Sequence, residues 1–170
     1  MFITGLLEYG HQTVLKSIEG IEGENWESGK VVGEWSAKDV LNHLTSMEHI
    51  FLDVLKSAIE KDTTTPYLDG YLSKGPHVYC NEQVEAHRPN PITATLQEFE
   101  EVHAQVMATV EQLDPTLLSQ KGTLSWYGGC TPWMIMRFTP TTVTKSSMLP
   151  SLSYIVRPRC SAGRSVRSNV

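Results

Sequence analysis

Apolar residues recur along most of the chain at alternating spacings of four and three, the pattern of helices that each bury one face. Leu7, His11, Val14, Ile18 and Ile21 form one such stripe, and Gly20 and Gly23 end it, which predicts a first helix. The polar stretch 25–34, with Gly29 and Gly33, reads as a loop whose Trp26 and Trp35 pack back on the helices. Ser36 followed by Asp39 resembles a capping box, and Val40, Leu44, Met47, Phe51, Val54 and Ala58 extend it into a second helix over 36–61. Residues 63–66, Gly70, Gly75 and Pro76 predict a long connection with one short helical piece around 81–87. Asn90 is placed to cap, and Pro91 to open, a third helix carrying Ile92, Leu96, Phe99, His103, Val106, Val110 and Leu113. Thr131 and Pro132 signal a fourth, continued by Trp133 to Met136, where the pattern stops. No strand-like alternation competes. The expected fold is all-α, a four-helix bundle whose fourth helix is truncated or replaced by an irregular C-terminal tail.

The charge pattern breaks at the same place. Residues 1–136 hold 8 Lys+Arg and all 19 acids, net −11; residues 137–170 hold 6 Lys+Arg and no acid, net +6, giving the chain's −5. The segment 137–170 is rich in Ser, Thr, Pro and Arg and has no sustained apolar period. Such a composition buries too little apolar surface to offset its ordering entropy. Two segments are therefore expected: a helical bundle domain over 2–136 and a basic tail over 137–170, either disordered or frameshifted. Loss of about five Leu- or Val-sized core side chains with helix four removes on the order of 10 kcal/mol. A chain that is marginally stable, aggregation-prone or dependent on a partner is the expectation.

Length and composition narrow the function. With 170 residues, 40% of them hydrophobic, one domain with a sizeable core is expected. The net negative charge argues against a nucleic-acid or anionic-membrane partner. No apolar run is long enough to span a bilayer, and the first residues lack the basic start of a secretory signal, so the expected compartment is the cytoplasm. Cys80, Cys130 and Cys160 are odd in number and unpaired in spacing, and read as free thiols.

Histidine is the residue type most able to carry chemistry here. On the second helix His43 falls about 60° from the apolar stripe, at the core edge, whereas His49 falls on the opposite face and reads as solvated. His11 and His103 occupy stripe positions on the first and third helices, where an imidazole needs a partner or a metal. The three inward histidines could converge on one ion, although separate hydrogen bonds satisfy them equally well. His77 and His87 lie in the connection, and Glu98, Glu100 and Glu101 read as a solvated face. Glycine-rich phosphate loops, nucleophile elbows and metalloprotease helices are absent from the sequence.

The stretch Gly33-Glu34-Trp35-Ser36-Ala37-Lys38-Asp39-Val40-Leu41-Asn42-His43-Leu44 resembles the signature of the DinB-like (DfsB-like) superfamily of bacterial four-helix bundles, with Trp-Ser before the second helix and Asp-x-x-x-His-Leu on it. Residues 6–21, 81–84, the third helix and 124–128 are similar to one branch of that superfamily, so the resemblance covers about residues 2–136. It implies a divalent metal, nickel or zinc, held by one histidine on helix two and a His-x-x-x-His pair on helix four. His43 matches the first ligand, and the other two have no match. His11 and His103 are the candidates to replace them. Read two nucleotides out of phase from the last base of the Met136 codon, the codons that follow permit Tyr-Tyr-Gly-His-x-x-x-His-Ala, which resembles the missing ligand motif. The resemblance implies a metal-dependent hydrolase or thiol-using transferase with a small-molecule substrate of unknown identity, impaired in this chain. A non-catalytic small-molecule-binding or stress-related bundle, with Trp35, Trp126, Tyr127 and Trp133 lining a pocket, is the alternative. An inactive product of a damaged gene is a third reading, and whether the chain works as a homodimer stays open.

Overall fold

The computed structural model describes residues 2–60, 62–114 and 116–117, which form five helices and no strand. Helix α1 spans Phe2–Ile18 and ends at Gly20, whose φ of 81° suits a residue without a Cβ. A single 3-10 turn, Gly23–Trp26, follows and buries Trp26. The tight turn between Val32 and Trp35 is closed by Trp35 N–H donating to Val32 O at 2.9 Å, and it delivers the chain to the start of α2.

Helix α2, Ala37–Ile59, begins with the expected capping box. Asp39 N–H donates to Ser36 Oγ at 3.2 Å, and Ser36 N–H donates to Asp39 Oδ2 at 3.1 Å. This helix is the centre of the molecule. Phe51, Leu52 and Leu55 pack with Leu7 of α1 and with Val102, Val106, Val110 and Leu113 at and beyond the end of α5, Ile92–Gln112. Near its start, Ala37 and Leu41 pack with Phe99, Leu96 and Ile92 of α5 and with Val14, Leu15 and Ile18 of α1. Helix α5 therefore runs parallel to α2, and α1 runs antiparallel to both.

A parallel pair needs a return path, which two helices supply where the sequence pattern predicts a connection with one short helical piece. Helix α3 spans Pro66–Lys74 and α4 spans Pro76–His87, each with proline in its first turn. Gly75, at φ 80°, separates them. Leu68, Tyr79 and Cys80 bury against Ile50 and Val54 of α2. The start of α3 is held from outside its own sequence, because the buried Asp53 carboxylate accepts Tyr67 N–H at 2.8 Å and Leu68 N–H at 3.1 Å. At the start of α5, Pro91 is the extended residue before the helix, and its carbonyl accepts Ala94 N–H at 2.9 Å. The expected Asn90 cap and Pro91 opening thus sit one residue further along. The expected fourth helix and the segment 137–170 lie outside the described residues.

Candidate functional site

The capping box fixes the first turn of α2, and a short ionic network fixes its surroundings. Arg88, just past α4, donates from Nε to Asp39 Oδ1 at 3.0 Å and from Nη2 to Oδ2 at 3.2 Å. The buried Lys38 donates to the Arg88 carbonyl at 2.9 Å and to Glu27 at 2.5 Å. Burial alone would raise the Asp39 pKa, yet the bonds from Arg88 and Ser36 outweigh it and hold the carboxyl below its ordinary value. One turn further, at four residues from Asp39, stands His43.

The His43 ring lies beside Trp35, with centroids 5.1 Å apart and planes tilted by 42°. Burial pushes its pKa down to about 4, so the imidazole is neutral at physiological pH. Its Nδ1 is buried and has no hydrogen-bond partner among the described residues. A neutral, anchored imidazole with an unsatisfied ring nitrogen is the protonation state in which histidine ligates a divalent metal.

His11 and His103 are brought together. Their rings stack face to face, with centroids 3.8 Å apart and planes within 9°, and His11 also stacks on Phe99 at 4.6 Å. A carboxylate holds each: His11 Nε2 lies 3.0 Å from Glu100 Oε2, and His103 Nδ1 lies 3.4 Å from Glu48 Oε1. Stacked rings project their in-plane lone pairs in parallel, so they do not chelate one ion. Among the described residues no group of three His, Cys, Asp or Glu side chains stands ready to hold a metal.

His49 departs from the expected solvated position. Its side chain is 18% exposed, stacks on Tyr67 with centroids 4.2 Å apart, and places Nε2 3.0 Å from Glu98 Oε1. The same Glu98 oxygen lies 3.8 Å from His87 Nε2, and His87 Nδ1–H donates to the Gln83 carbonyl at 2.7 Å. The face of α2 read as open is covered at His49 by Tyr67 of α3 and Glu98 of α5. Glu98 is thus an imidazole partner rather than part of a solvated face; Glu100 is one too, through α1. Glu101, paired with Gln97 on its own helix, fits the surface reading, as does the exposed Glu100 apart from its contact with His11. Cys80 is buried with its thiol pKa pushed up to about 11, which makes it a core residue and not a nucleophile.

Residues 7–143 match the mycothiol maleylpyruvate isomerase N-terminal domain. The chain belongs to that family. The family is part of the DinB-like helical superfamily and is generally metal-associated. No curated protein and no solved structure matches the chain. The family match crosses Met136 and stops seven residues later, inside the segment that carries no acid.

Two described histidines bury an unpartnered Nδ1, His43 and His11, and His11 is already bound through Nε2 to Glu100. His43 has the burial, neutrality and unpartnered nitrogen of a ligand. All six histidines lie at or before His103, and the last carboxylate is Asp114. Beyond Asp114 the only strongly ligating side chains are Cys130 and Cys160. The part of the family match beyond Asp114 therefore supplies no imidazole and no carboxylate.

Proposed function

We propose that this domain descends from divalent-metal-dependent enzymes of thiol-transferring or hydrolytic type, retains His43 as one ligand, and has lost most or all turnover. The observation that carries this reading is His43 itself. A buried imidazole left without a partner among the described residues is costly for folding alone, and an incoming cation would repay that cost. Asp39, Arg88 and Ser36 hold the helix turn that presents it, and Trp35 restricts its ring. With one imidazole in place of three, no catalytic step is assigned to a metal.

Elemental analysis of the purified chain after exposure to nickel or zinc, beside His43→Ala, tests this reading. We expect sub-stoichiometric or weakly held metal at His43, reduced further in the variant, and no measurable thiol transfer. Tight stoichiometric metal that depends on His43, with turnover, would show that the chain has found replacement ligands and would overturn the impairment. Metal uptake indifferent to His43→Ala, together with a ligand-induced change in tryptophan fluorescence, would favour the small-molecule-binding bundle instead.

A further inference from the structure

Helix α1 is fastened to the rest of the molecule by few deep anchors, and one of them is an imidazole. Among its described side chains Leu7 and His11 are fully buried, whereas Val14, Leu15 and Ile18 are covered only in part. The His11 ring stacks on two rings that stand one turn apart on α5, Phe99 at 4.6 Å and His103 at 3.8 Å. We propose that the His11–His103 stack is an acid-sensitive clasp, which holds α1 on α5 while the pair carries at most one extra proton and releases α1 when both rings are charged.

The hydrogen bonds fix where the protons sit in the neutral pair. An ionised carboxylate only accepts, so His11 carries its proton on Nε2, facing Glu100, and His103 carries its own on Nδ1, facing Glu48. His11 Nδ1 is then a lone pair, buried and without a partner among the described residues. A proton added to His11 lands on that atom, where it makes a buried N–H with nothing to accept it.

Among the described residues, Glu100 from α5 itself and Glu48 from α2 are the charged groups that reach the two rings. They compensate unequally. The Glu48 side chain is 11% exposed and its Oε2 is buried without a partner, so its charge acts at close range through a poorly screened interior and balances one imidazolium. The Glu100 side chain is 54% exposed, and water screens most of its pull on the buried His11. One charge on the pair is therefore accommodated. Two charges on parallel rings 3.8 Å apart repel, and because one ring belongs to α1 and the other to α5, parting the two helices relieves them. Release uncovers the cluster of Ala37, Leu41 and Phe99, which α1 covers through Val14, Leu15 and Ile18.

Hydrogen exchange read by mass spectrometry on the full chain, in the presence of a chelator, tests the clasp. Between about pH 7.5 and about pH 5, the range in which histidine gains charge, α1 should lose protection by about tenfold or more relative to α5, each point being corrected for the intrinsic pH dependence of exchange. Global unfolding would lower both helices together, so the ratio isolates the release. His103→Phe keeps a ring for the stack and removes its proton, and it should leave α1 protected across the range. Glu48→Gln keeps the acceptor and the volume but removes the balancing charge, and it should move the release to higher pH. Protection of α1 that tracks α5 at every pH would overturn the proposal, and so would a His103→Phe chain that releases α1 as the unmodified chain does. Should His103→Phe fail to fold, an unchanged release pH in Glu48→Gln would sink it.

Discussion

His43 sets a pH dependence that can be read without any metal. Its pKa in the folded chain, about 4, lies below the ordinary value of 6.5, so the unfolded chain binds the proton more readily between those values. Stability tied to His43 is complete above about pH 6.5 and is lost as pH falls toward 4. Between pH 7 and pH 5 the loss amounts to about 2 kcal/mol at most. Urea melts in the presence of a chelator should show that slope, and His43→Gln should flatten it. Equal slopes in the two chains would mean that the ring is solvated. Asp39 works in a different window: its depressed carboxyl contributes above its unfolded pKa of about 4 and fades in stronger acid. Of the site, His43 was legible because a Trp-Ser turn and a capping box fixed its place on the helix. His11 and His103 were legible as inward residues, but their mutual stacking was not, since helix periodicity gives a face and not a partner. His49 and Glu98 were misread because Tyr67, which stacks on His49, lies on α3, a helix the connection was not expected to hold.

At the scale of elements, the three long helices announce themselves by their own stripes, and α3 does so only through a neighbour. Its first turn is held by Asp53, fifteen residues upstream of Leu68 and on another helix, so local patterning contains no cap to find. Burial raises the Asp53 pKa, and the two accepted N–H bonds offset part of that rise. Substituting Asp53→Ala leaves two backbone donors without their acceptor and should cost about 1–2 kcal/mol. Asp53→Asn keeps one acceptor oxygen and should recover roughly half of that. Denaturant midpoints of the two variants decide the matter: equal losses would show that the charge matters and the cap does not. Helix α4 was expected only as a short piece around 81–87, and it extends upstream to Pro76. It buries Tyr79, Cys80 and Val84, a short stripe interrupted by polar residues, and its place is dictated by the surface of α2.

For the whole molecule, the decisive fact is a distribution: every carboxylate and every histidine precedes residue 115, while the family match continues to 143. The segment 137–170 therefore offers no histidine, aspartate or glutamate as a ligand and carries no sustained apolar period. The three clusters of buried residues along α2 still give the described part packed apolar cores, so the chain should collapse and form helices. On the expectation that the segment after Met136 adds no fourth helix, which withholds on the order of 10 kcal/mol, unfolding should be broad and solutions prone to association. A sharp two-state melt from a monomer at an ordinary or higher temperature would refute this. The gene offers the complementary check. Sequencing across the Met136 codon should reveal a single-base insertion or deletion, and the chain expressed from the restored frame should melt at least about 10 °C higher, given the few kcal/mol regained. It should also bind nickel or zinc stoichiometrically through His43 and the restored histidines. An intact reading frame would instead make the basic tail a genuine property of the protein, and the two added histidines would then have to be engineered rather than recovered.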